Sequence, residues 1–224
     1  WPILLSAALM LLGAVVGHVL TIANPDWFYS FVSESLAGGR GPTSTADELR
    51  AVLYSGADSV VEQLNLFASF LFTHNARIGM LCFALGFFFG VPTAILLFTN
   101  GLMLGAFTAI YAAQGLSVEL AAWLTIHGTT ELLAVVLCGG AGFTVAGAMI
   151  FPTRQSRLAQ LAERGRQAAK IVIGTVALFF IAALLEGFGR QLITDVTLRY
   201  LIGATMLLYW LLYFLRSGVG RERR

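Results

Sequence analysis

The sequence predicts an all-α membrane protein, a six-span transmembrane helix bundle with an amphipathic outer surface helix. Three observations predict it. Apolar residues fill 58% of the 224 positions and charged ones 12%. Mean hydropathy is +0.80, more apolar surface than a soluble domain of this length has interior to hide. Apolar stretches of membrane-spanning length recur along the chain, and acidic and basic residues are segregated between the segments that connect them. A net charge of +2 leaves no basic footprint for nucleic acid, so the expected surroundings are a lipid bilayer and other membrane or envelope proteins.

A helix needs about 20 apolar residues to cross a bilayer. Residues 2–22 supply the first span, and no small-residue cleavage site follows that would make it a signal peptide. Residues 78–98 give a second, carrying Pro92, and residues 101–113 a short, small-residue-rich third. Asn100 and Gly101 then fall at the inner turn between these two. Residues 118–150 form a long fourth span, weakened at Gly139-Gly140-Ala141-Gly142, and residues 171–188 and 198–215 complete six. The chain starts at Trp1-Pro2, without Met, and is expected to belong to a longer protein.

Charge sets the expected orientation. The connector 153–170 holds Arg154, Arg157, Arg164, Arg166 and Lys170 against Glu163, and the tail 217–224 is also basic. Both are expected in the cytoplasm of a multi-pass inner-membrane protein with cytoplasmic N- and C-termini. Segment 23–76 holds six acids (Asp26, Glu34, Asp47, Glu48, Asp58, Glu62) against Arg40 and Arg50, and belongs outside. The resulting division is a first span (1–22), an extracytoplasmic segment (23–76), a five-span core (77–216) and the tail.

Within the outer segment, Thr45-Ala46-Asp47-Glu48 is a capping box. Leu49, Val52, Leu53, Val60, Val61, Leu64, Phe67 and Leu71 then recur at three and four, the apolar face of a helix lying on the outer membrane surface or across the bundle mouth. Trp27 to Leu36 is a shorter aromatic segment between turns. The basic connector is similarly amphipathic, with Leu158, Leu161, Ala162 and Ala168 on one side.

The polar residues within the spans carry the functional signal, because a charge in hydrocarbon costs ~2.5–3.5 kcal/mol on insertion scales. His127 and Glu131 lie one helical turn apart in the outer half of the fourth span. His74, Asn75 and Arg77 lie at the outer end of the second, and Glu186, Arg190 and Gln191 at the outer end of the fifth. The expectation is one outward-facing polar cluster of Asn75, Arg77, His127, Glu131, Glu186 and Arg190. Arg77 or Arg190 would neutralise Glu131, and Glu186 would pair with Arg190 at i and i+4. Three readings of the cluster stand: a structural tie between helices, a proton or headgroup site for transport or lipid handling, and a metal site for an intramembrane hydrolase. His127, Glu131 and Glu186 are the metal candidates, but no metal, cofactor or catalytic residue is assigned, since HxxxE alone is a frequent chance match.

The remaining features have plainer readings. Cys82 and Cys138 sit in apolar stretches as small buried hydrophobes. The spacings Gly13/Gly17, Gly86/Gly90 and Gly101/Gly105 allow close helix approach, within the bundle or in a homodimer. His18 is an interfacial residue, and Trp123, Tyr209, Trp210 and Tyr213 are expected as interface anchors.

The ordered set His74-Asn75-Ala76-Arg77, Phe83-Ala84-Leu85-Gly86, Gly90-Val91-Pro92-Thr93, Asn100-Gly101, Leu104-Gly105, His127-Gly128, Glu131-Leu132, Gly139 to Gly142 and Leu185-Glu186-Gly187-Phe188 resembles the stage II sporulation protein M (SpoIIM) family. The resemblance spans most of the chain, although this chain has His74 where the family often has a first asparagine. It implies Asn75, Asn100, His127, Glu131 and Glu186 as signature polar positions, and a cytoplasmic N-terminal extension. It also implies a membrane component of a cell-envelope complex, a scaffold or regulator of partners in peptidoglycan remodelling or a sporulation-like role. It supplies no reaction.

Overall fold

The computed structural model describes residues 1–54, 75–151, 156–189 and 192–219, and every regular element among them is helical. In chain order the helices are α1 (Pro2–Ala23), α2 (Trp27–Phe31), α3 (Glu34–Ala37), α4 (Ala46–Tyr54), α5 (Asn75–Phe87), α6 (Val91–Ala113), α7 (Ser117–Ile150), α8 (Arg157–Leu184) and α9 (Val196–Val219). A π-helical turn, Leu185–Gly189, follows α8. Among the described residues five helices (α1, α6, α7, α8 and α9) are long and apolar enough to cross a membrane, and α5 is a shorter apolar helix. The protein is therefore a helical membrane protein, with five full-length helices where six spans were expected.

The difference lies at residues 85–92. The expected second span, 78–98, is broken. Residues Leu85–Phe87 tighten into a 3₁₀ turn, and Phe89 and Gly90 then take left-handed backbone, with φ of 57° and 75°. Pro92 occupies the first turn of α6, where its missing N–H has no partner to lose. The proline starts a helix instead of kinking one. As a result α6 is full length, and Asn100 and Gly101 lie inside it, not at an inner turn.

The connector and fifth span also differ from expectation. They form one helix, α8, whose N-cap Ser156 accepts from the Ala159 N–H at 3.3 Å. The expected apolar face of the connector is buried in part: Ala168 is in the core and Leu161 packs against it, whereas Leu158 and Ala162 are exposed and Gln160 turns inward. Arg154 lies outside the described residues.

The glycines explain why the backbones approach so closely. A Cβ added at Gly13 would fall on the Phe98 carbonyl oxygen and one at Gly17 on that of Leu102. From the other side, Gly101 abuts the Met10 carbonyl and Gly105 that of Ala14. Two GxxxG spacings thus interlock along the α1–α6 crossing. The Gly139–Gly142 run does not weaken α7, which is continuous over 34 residues. It is the surface on which α1 and α5 seat: Gly140 meets Ile3, and Gly142 meets the Cys82 carbonyl. α7 packs against α1, α6, α8 and α9 and is the central helix of the bundle. Cys82 and Cys138 are buried free thiols.

Segment 24–54 caps one end of this bundle. The capping box forms at α4, with Thr45 N–H donating to Glu48 Oε2 at 2.8 Å and Glu48 N–H to Thr45 Oγ1 at 3.3 Å. Leu49 and Leu53 of α4, with Phe28 and Val32, are buried on Ile110, Tyr111, Leu116, Leu120 and Trp123. The described part of the amphipathic helix therefore packs across the bundle mouth. Its expected continuation, Val60 to Leu71, lies outside the described residues. Arg199 of α9, fully buried, ties the cap down by donating to the Leu53 carbonyl at 2.9 Å, while a second donation, to the Ile193 carbonyl at 2.8 Å, holds the turn before α9.

Candidate functional site

Helix periodicity places His127 and Glu131 on one face of α7, with His127 Nε2 4.0 Å from Glu131 Oε2. The π turn after α8 brings in the third group, Glu186, whose Oε1 stands 3.9 Å from the same nitrogen. Single π turns are frequent at functional positions. One donor atom from each of the three residues lies within 4.8 Å of the other two. His127 and Glu186 are both 3% exposed, so this is a buried site rather than a surface ion pair.

Neighbouring side chains fix the orientation of the three. Asn75, the first residue of α5, donates its side-chain amide to Glu131 Oε1, leaving Oε2 as the oxygen that faces His127. The Trp123 indole stands edge-on to the imidazole, with ring centroids 5.2 Å apart and planes at 90°. On the next face of α7, Thr130 accepts from Trp210 Nε1 at 2.9 Å, which locks α9 against the helix that carries the site.

The triad borders a cavity of about 540 Å³. Among the described residues its polar lining includes Asn75, Asn100, Thr125, His127, Thr129, Glu131 and Glu186. Its walls are apolar, drawn from α6 (Met103, Leu104, Phe107) and α7 (Leu120, Leu124, Leu132, Val135). At the capped end it meets Ser35, Leu36, Gly38, Arg40 and Val52. Arg40 is held there by the Ala37 and Leu36 carbonyls, at 2.8 and 2.9 Å, with its guanidinium 4.5 Å over the Phe107 ring.

The expected cluster is thus assembled in part. Asn75, His127, Glu131 and Glu186 converge. Arg77 is exposed on α5 and does not line the cavity, so it is not the counter-charge of Glu131. His74, Arg190 and Gln191, and with them the expected Glu186–Arg190 pair, lie outside the described residues. Asn100 joins the site because α6 runs through it, and Gly101 serves the α1 contact. Trp123 and Trp210 are buried, packing on His127 and Thr130 and not anchoring at an interface, whereas Tyr209 and Tyr213 are exposed. His18 bonds to Thr108 Oγ1 at 2.9 Å. Arg40 and Arg199 were not singled out from the sequence. Arg199 reaches the Leu53 carbonyl, whose position only the fold supplies, whereas Arg40 bonds to local carbonyls and meets only the Phe107 ring through the fold.

No curated protein and no solved structure matches this chain. A family match is found for stage II sporulation protein M (SpoIIM) over residues 6–189, from α1 to the end of the π turn, and it contains every described polar residue that lines the cavity. Matched over most of its length, the chain belongs to the SpoIIM family.

Proposed function

We propose that this protein is a membrane component of a cell-envelope assembly that works by binding an amphipathic, lipid-class molecule in its cavity. In this reading the termini are cytoplasmic, with α5 making the crossing between the cap and α6, and the 24–54 cap faces outward, as the charge distribution favours. The polar head of the ligand sits on Asn75, Asn100 and the His127–Glu131–Glu186 triad, and its apolar chain lies along α6 and α7. Occupancy is sensed by the cap, whose residues form the other end of the cavity and whose outer surface is available to partners.

One observation carries this reading: the polar side chains face open volume. A cluster that only ties helices together is close-packed, as protein interiors are. This one borders about 540 Å³ with apolar walls and a polar end, the form of a site for a molecule of the same polarity.

Gly128 provides the test. It lines the cavity, and a Cβ there would meet nothing nearer than Leu124 Cβ at 4.0 Å. Gly128→Leu therefore fills space without a backbone clash. In native mass spectrometry from mild detergent, the wild type should retain a lipid adduct that Gly128→Leu loses at unchanged thermal stability. Equal retention by both proteins, or no adduct on the wild type, would refute the reading.

A further inference from the structure

We propose that His127, Glu131 and Glu186 bind one divalent transition-metal ion of the zinc class. The proposal rests on ligand geometry and stands whether or not a lipid occupies the cavity. Donors at ~2.0–2.2 Å from a tetrahedral ion stand about 3.3–3.6 Å apart. His127 Nε2 is already 4.0 and 3.9 Å from one oxygen of each glutamate, and the three donors lie within 4.8 Å of one another. Side-chain shifts of less than about 1 Å bring them to ligating distance. An imidazole with two carboxylates is a borderline-hard donor set that suits zinc or manganese.

Two further features mark a built site rather than a chance cluster. Metal-ligating groups are held by outer hydrogen bonds that fix which atom faces the ion. Asn75 does this for Glu131, taking Oε1 and leaving Oε2 toward His127. Three protein ligands also leave a tetrahedral ion one open position, and here the triad borders the cavity, so that position is accessible to a bound molecule. Charge favours the ion as well, since a divalent cation balances two ionised carboxylates in an apolar bundle, where separate charges are costly.

The test uses the full chain purified without chelator and stripped of lipid in detergent, so that its outcome is independent of lipid binding. Elemental analysis should find close to one zinc-class ion per chain. After the ion is removed with a chelator, added zinc should restore that content and raise the melting temperature. His127→Ala and Glu186→Gln should abolish both effects. If those variants fail to fold, Asn75→Ala removes no ligand and should weaken zinc affinity by about 10–100-fold. The proposal is overturned if the wild type takes up no stoichiometric ion even with zinc added, or if Glu186→Gln or Asn75→Ala binds zinc as the wild type does.

Discussion

His127 shows how a polar side chain is tolerated inside an apolar bundle. Its ring packs edge-on to Trp123, and its Nε2 faces two carboxylates, one of them oriented by Asn75. Three residues along the helix, Thr130 Oγ1 accepts a hydrogen bond from the Trp210 indole N–H. Buried polar contacts in membrane proteins contribute about 0.6–2 kcal/mol. Thr130→Val, which keeps the side-chain volume and removes the acceptor of this bond, should lower stability in detergent by about 1–3 kcal/mol. Thermal unfolding of the pair measures it, and an unchanged midpoint would mean the contact is not formed in the protein. The triad was legible in the sequence because imidazole and carboxylate within apolar runs stand out along one dimension. Trp123 was not: an aromatic near a span end reads as an interface anchor until its neighbour across the fold is known.

At the scale of elements, helix contacts depend on what is missing. The α1–α6 crossing uses glycine on both sides, so a larger side chain meets main chain that cannot rotate away. Gly17→Leu should cost well over the ~1–3 kcal/mol of ordinary overpacking. Gly174→Leu on α8, where a Cβ meets nothing within 4 Å, should leave stability nearly unchanged. Comparing the two melting curves checks this, and equal destabilisation would argue against the crossing. The cap relies on Arg199, whose Nη2 reaches the Leu53 carbonyl. Arg199→Met should loosen α4 and speed proteolysis after Arg50, with the core helices staying intact on gels. The break between α5 and α6 explains a misreading of the sequence. Hydropathy averages over Phe88-Phe89-Gly90-Val91-Pro92, and a proline inside an apolar run looks the same whether it kinks a helix or begins one. That ambiguity placed Asn100 at a turn, apart from the cluster, although the family resemblance implied it as a signature polar position.

For the whole molecule, the sequence carried the broad plan well. Apolar lengths predict a helical membrane bundle, and the helices found agree with it. The cavity was not legible, because it is the space left between α6, α7 and the cap, and no local pattern records a gap between distant segments. Arg199 and Leu53, 146 positions apart, show the same limit for a single bond. The account predicts that this space leads from the extracytoplasmic cap to the polar floor. The most direct test is thiol labelling of Asn100→Cys in sealed membranes, with the buried Cys82 and Cys138 as the unreactive background. A small membrane-impermeant reagent should modify position 100 from the extracytoplasmic side, and Gly128→Leu in the same chain should slow that modification. Modification only from the cytoplasmic side, or none from either side in folded protein, would contradict the account.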